Sequence, residues 1–381
     1  MPIQEPLPPT YSQMPRQDLV TRIRRHKERF GASLCILAHH YQRDEVVQFA
    51  DFVGDSLKLS QQVARQADAR YIVFCGVHFM AESADVLSGP DQAVILPNLR
   101  AGCAMADLAA DDDVTAALEE ICAMADTKIV PVTYVNSTAV IKALTARFGG
   151  ACCTSSNVRN VFDWALRAES DGGAGARKIL AVPDQHLGRN TAVSMGYSLA
   201  DCVVYDPALA DGGLSAERVR RATFVLWKGH CYVHQFFRPE HVESVRKRHP
   251  GITVIVHPEC PYEVVRLADA SGSTEQLIRA VEAGRPGSAW AVGTESNLVN
   301  RLAKRHPDRF VRVLSDAPAA CVQMQRIDLP HLAWVLDNLA AGTIVNRVSV
   351  DSAVAADARV ALRRMTDIRP AAQASPNPSR P

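Results

Sequence analysis

One phrase recurs along this chain and limits what it can fold into: a short apolar strand, a small polar cluster, then an amphipathic helix. It opens with Leu34-Cys-Ile-Leu-Ala-His-His-Tyr-Gln42, then Asp55-Ser56 at the head of a helix predicted over 57–67. Tyr71-Ile-Val-Phe-Cys-Gly-Val77 leads into His78-Phe-Met-Ala-Glu82, and Ala93-Val-Ile-Leu96 leads through Pro97 to Cys103. The phrase restarts at Lys128–Asn136 with a helix over 137–147, continues through Ala151–Ser156 with a helix over 157–168, and ends Ile179–Val182 on Pro183-Asp-Gln-His186. A third round takes in 222–226, Ile252–Val256 with His257-Pro-Glu-Cys260, Ala289–Val292 and Phe310–Leu314. Strands alternating with helices of about 10–15 residues specify parallel sheets with helical crossovers. The expected fold class is α/β, as three similar three-layer αβα units with short parallel sheets.

The predicted division is a disordered extension over 1–16, a first unit over 17–106 plus 326–368 and a second over 107–221. The third spans 222–325, and 369–381 is a disordered tail. Two stretches read as insertions, 170–176 and 201–221. Met1–Pro15 has neither the basic flank nor the apolar core of a signal peptide, and no apolar run reaches the roughly 20 residues of a membrane span. A cytoplasmic protein with reduced thiols is therefore expected. Charge is balanced, 42 basic against 41 acidic residues, which excludes a broad nucleic-acid or membrane footprint but permits local anion sites.

Polar residues break the rhythm at strand ends, where open α/β sheets bind ligands. They include His39, Tyr41, Ser56, Tyr134, Asn136, Ser155, His234, His257, Glu259, Thr274 and Glu295. Ser56, Ser155, Ser273 and Thr274 fall where helices start. Ser and Thr are ordinary N-caps there, and Ser273 with Gln276 reads as a capping box. The same positions offer unpaired N–H groups and a positive dipole end to a carboxylate or phosphate.

Ten cysteines without a C-x-x-C pair argue against a disulfide framework or a local zinc knuckle. Cys35, Cys75, Cys122, Cys152, Cys153 and Cys202 read as packing. Cys103, Cys231 and Cys321 each follow a strand among small or polar neighbours, about one per unit, with Cys260 their competitor. Such thiols could share a metal only where three units meet.

The words themselves are also familiar. Ala38-His-His-Tyr-Gln42, Phe52-Val-Gly-Asp-Ser56, Phe74-Cys-Gly-Val-His-Phe-Met-Ala-Glu82 and Tyr134-Val-Asn-Ser-Thr138 resemble the quinolinate synthase family. So do Thr154-Ser-Ser-Asn157, Pro183-Asp-Gln-His-Leu-Gly-Arg-Asn190, Gly229-His-Cys-Tyr-Val-His234 and His257-Pro-Glu-Cys260, with the likeness running from about residue 18 to 367. The resemblance implies units arranged about a pseudo-threefold axis, an active site at their junction, and a 4Fe–4S cluster on Cys103, Cys231 and Cys321 with one open iron. It implies condensation of iminoaspartate with dihydroxyacetone phosphate to quinolinate, on the route to the pyridine ring of NAD. It places substrate contacts on His39, Ser56, Tyr134, Asn136, Ser155, His257, Glu259 and Thr274, and catalytic or supporting roles on Tyr41 and His234. Glu259 beside His257 is then the expected general base and Tyr41 the proton shuttle. The expected partners are the two anionic substrates and, transiently, the L-aspartate oxidase that supplies iminoaspartate. His40 and His78 receive no role, and Pro318–Met324 lacks the second cysteine of a redox-regulatory pair.

Overall fold

The apolar runs become strands buried on both faces: every residue of β1 (Leu34–His39) is covered, the pattern of a parallel sheet under helices on either side. With it come β2 (Phe52–Gly54), β3 (Tyr71–Cys75) and β4 (Ala93–Ile95). β5 (Ile129–Tyr134), β6 (Ala151–Cys153), β7 (Lys178–Val182), β8 (Cys202–Tyr205) and β9 (Phe224–Trp227) follow. The last are β10 (Thr253–Val256), β11 (Ala270–Ser271), β12 (Ala289–Gly293), β13 (Phe310–Val313) and β14 (Arg347–Val348). This computed structural model describes residues 4–66 and 68–369.

Three sheets form, ordered β14-β4-β3-β1-β2, β6-β5-β7-β9-β8 and β11-β10-β12-β13. All pairings are parallel except β14 against β4. The same order is thus built three times: the opening strand lies between its two successors, and a fourth strand extends the far side. Ile36, Leu37 and Phe74 pack with Leu332 and Leu336 of the helix Leu329–Ala340 in the first core. The third sheet has its own pair of cores, around Val254 and around Val292.

Several expectations are corrected. Phe224–Trp227, placed above in the third unit, pairs with β7 and β8 in the second sheet. The 201–221 stretch supplies β8, an extra strand on that sheet's edge. The helix Ser352–Asp367, grouped above with the first unit, puts Ala358, Ala361, Leu362 and Met365 into the second unit's core. Within 4–16, expected to be disordered, the turn of helix Pro9–Ser12 is held by the Tyr11 hydroxyl donating to Asp337 at 2.7 Å. Of the predicted tail, 370–381 lies outside the described residues. Among the described residues, no helix is long and apolar enough to cross a membrane.

Candidate active site

The carboxyl ends of all three sheets open onto one cavity. At or just past the opening strands stand His39 and Tyr41, Tyr134 and Asn136, and His257 and Glu259. Past β2, β6 and β11 come Ser56, Ser155 and Thr274; past β4, β9 and β13 come Cys103, Cys231 and Cys321. His234 completes the set. Every residue to which the resemblance gives a substrate, catalytic or metal role lines this cavity.

The helix-start residues are freed for it by their neighbours. Asp55, not Ser56, caps its helix by accepting the Lys58 N–H at 2.9 Å. Ser273 caps the next one with the expected Gln276 box, which leaves Thr274 on the first turn. Asn157 holds the N-cap position of the helix Val158–Leu166, so Ser155 lies outside that helix.

Glu259, 2 % exposed, places Oε2 3.0 Å from Nδ1 of both His234 and His257. The His234 contact has ion-pair distance without hydrogen-bond alignment, and Glu259 Oε1 has no partner. The two imidazoles stack at 4.4 Å between centroids. Burial alone would raise the Glu259 carboxyl, but the imidazoles outweigh it and hold the group below its ordinary range. His234 is pushed down by burial and by His257 beside it. One buried carboxylate thus stands between two imidazoles.

The Tyr41 hydroxyl lies 2.9 Å from Thr294 Oγ1, 3.1 Å from Thr274 Oγ1 and 3.5 Å from His234 Nε2. Burial and the Glu259 charge raise its phenol well above the usual value, so it stays protonated. His39 is pushed down to about 3, first by burial. Its Nδ1 accepts the Tyr41 N–H at 3.2 Å, which leaves Nε2–H as a donor toward the cavity. Tyr134 is kept neutral by burial and the Glu259 charge, and Asn136 Oδ1 is unpartnered. No Lys or Arg among the described residues lines the cavity.

The three cysteines meet at an apolar wall that includes Val77, Phe79, Met80, Met105, Val233 and Met324. Burial pushes the Cys103 thiol up to about 12 and raises Cys231 and Cys321 as well. Uncoordinated, these are poor nucleophiles; a metal charge would keep them as thiolates. Three soft donors lining one cavity beside an apolar wall fit an iron–sulfur group. Ligand atoms of Cys231, His234 and Glu259 also lie within 4.8 Å of one another, a set that could hold a metal ion.

The other candidates fall elsewhere. Cys260 is core, its thiol turned to the Gly293 carbonyl at 3.6 Å, and Cys122, expected to pack, is exposed. His40 pairs with Glu275 at 2.9 Å, and His78 lies 3.7 Å from Glu82. Sequence reasoning missed Thr294, fully buried, whose hydroxyl lies within reach of both Tyr41 and His234. It had only the flanking Gly293 and Glu295 to signal it. It also missed Asn190, which donates to the Pro258 and Cys260 carbonyls at 2.8 Å each and fixes the turn carrying Glu259.

A carboxylate between two imidazoles, a protonated phenol and a ring of polar side chains at the meeting of three αβα sheets define an α/β enzyme for small molecules. The family profile described as "Quinolinate synthetase A protein" matches residues 21–367, and the chain belongs to that family. A protein of Nocardioides sp. named quinolinate synthase is 53 % identical over 351 residues, covering 91 % of this chain and 88 % of its own. Proteins of the same name from Acidobacterium capsulatum and Bacillus cereus are 52 % identical over 363 residues (94 % and 95 % coverage) and 48 % over 370 (96 % and 97 %).

Proposed function

We propose that this cavity condenses iminoaspartate with dihydroxyacetone phosphate to quinolinate, releasing phosphate and water, in the de novo route to NAD. One observation carries the assignment of residues: a single cavity gathers the three thiols, the Glu259 unit, Tyr41 and the helix-start hydroxyls, and no Lys or Arg among the described residues lines it. His39 Nε2–H, Ser56 and Ser155 bind substrate carboxylates, Thr274 binds carboxylate or phosphate, and Tyr134 and Asn136 close the wall. Glu259 abstracts protons, with His257 and His234 to receive and return them. Tyr41, protonated and hydrogen-bonded to two threonines, shuttles a proton during isomerisation of the triose carbons. Cys103, Cys231 and Cys321 would hold a 4Fe–4S cluster. Three thiolates leave one iron open, which when bound supplies a Lewis acid for a substrate oxygen.

The Cys231–His234–Glu259 donor set favours a second reading, a mononuclear metal such as zinc. Anaerobic purification with iron, sulfide and zinc analysis separates the two. About four irons with matching sulfide per chain, a broad visible band, and loss of both in Cys231→Ala support the cluster. Zinc alone, after attempted reconstitution, overturns it. Quinolinate formation from the two substrates by the loaded protein tests the reaction itself.

A further inference from the structure

The three cysteine loops are fastened to their sheets by one repeated bond. In each unit the residue opening the helix after the third strand donates its N–H to the carbonyl two residues before the cysteine. His78 donates to Ala101 at 2.8 Å, Gln185 to Gly229 at 3.0 Å, and Ser296 to Ala319 at 2.9 Å. The residue preceding each donor is therefore the same structural position three times: Val77, Asp184 and Glu295.

Two of those three are buried carboxylates, 3 % and 0 % exposed. Asp184 Oδ1 caps its helix by accepting the Leu187 N–H at 2.7 Å, and Oδ2 accepts the Cys231 N–H at 3.2 Å. Glu295 Oε2 accepts the Asn297 and Leu298 N–H groups at 2.7 and 3.3 Å, and Oε1 accepts the Cys321 N–H at 3.4 Å. Among the described residues, neither carboxylate meets Lys or Arg at ion-pair distance. Capping alone does not call for a buried carboxyl group, because Thr138 and Ser273 cap comparable helices with hydroxyls. The second carboxyl oxygen reaches the cysteine backbone; in Glu295 it also accepts from the Asn297 side-chain amide at 3.0 Å. Val77 has no acceptor to offer, and among the described residues the Cys103 N–H meets no side-chain acceptor.

We propose that Asp184 and Glu295 are positioning residues that clamp the Cys231 and Cys321 loops at the cysteine N–H, leaving Cys103 the one of the three whose own N–H, among the described residues, has no side-chain acceptor. The proposal rests on the cluster reading above only for its purpose, since the clamp itself is a set of contacts between protein groups.

The test is amide hydrogen exchange on the metal-free protein, followed by chelator-driven iron loss on the loaded protein. In the parent chain the Cys103 amide should exchange fastest of the three. Asp184→Ala should speed exchange at the Cys231 amide at least about tenfold without moving Cys321, and Glu295→Ala should do the reverse. Each variant should release iron several-fold faster. Asp184→Asn and Glu295→Gln keep one accepting oxygen and should fall between, which covers a variant that fails to fold. Asp351→Ala removes a cap of the same chemistry that touches no cysteine and should leave all three amides and iron release unchanged. Folded variants with unaltered cysteine-amide exchange would overturn the clamp. If exchange responds but the chain never takes up iron, the clamp stands and the cluster reading fails.

Discussion

At the end of β1 the His39 ring accepts the Tyr41 N–H at 3.2 Å; at the end of β10 the His257 ring accepts the Glu259 N–H at 3.3 Å. Each turn is held from outside by a neighbouring unit. Arg301, on the helix after β12, donates to the His40 and Gln42 carbonyls. Asn190, on the helix after β7, donates to those of Pro258 and Cys260. The backbone devices match, yet the third residue of one is a phenol kept protonated and that of the other a carboxylate kept ionised. Burial raises both groups; what differs is company, two hydroxyls around Tyr41 and two imidazoles around Glu259. A repeated scaffold fixes where a group stands, and its immediate neighbours fix which way protons move.

The largest way to break this comparison is Glu259→Gln, which keeps the shape and removes the base. Turnover should fall by about 10³-fold or more while the visible spectrum of the loaded protein persists. Wild-type turnover would remove Glu259 from its role. Tyr41→Phe should cost less, about 10²-fold in kcat, because the Thr274 and Thr294 hydroxyls remain to pass a proton through water. An effect confined to KM would make Tyr41 a binding group instead. The residue after Glu259 sharpens the contrast between cysteines: Cys260→Ala should lower stability by about 1 kcal/mol on urea unfolding and leave iron content unchanged.

The smallest effect concerns the middle residue of each turn, His40 against Pro258. The Glu275 carboxyl is held down to about 2, chiefly by its hydrogen bond with His40, against burial and with help from Lys58. A depressed carboxyl stabilises the fold above its unfolded pKa and loses that contribution as pH falls through about 4 toward 2. Glu275→Gln should therefore be less stable at neutral pH by about 1 kcal/mol, a figure reduced for solvent screening, and equal to the parent near pH 2. Parallel stability curves for the two proteins would show that this link between units carries no weight.

Strands of four or more apolar residues such as Tyr71–Cys75 and Thr253–Val256 were legible because their β-branched runs have no other favourable burial. β2, β11 and β14, of two or three residues, were not, whereas the equally short β4 and β6 fell within the runs 93–96 and 151–156. The caps show a finer limit. Asp55-Ser56 and Ser273-Thr274 are pairs of adjacent cap formers, and composition does not say which one takes the extended backbone. The chain uses the first of each pair and turns the second into the cavity.

The letters alone determined the α/β class, the repetition of the strand–turn–helix phrase, and the separation of Cys103, Cys231 and Cys321 from cysteines embedded in apolar runs. These follow from local periodicity and from which neighbours a side chain has along the chain. Only the tertiary structure decided that β9 lies inside the second sheet, that the last described helix completes the second core, and what Thr294, Asn190, Asp184 and Glu295 touch. Each of these depends on contacts between residues far apart in the chain. A hydroxyl reaching Tyr41 from across a unit boundary, or a carboxylate accepting a distant cysteine N–H, leaves no pattern in the sequence around it.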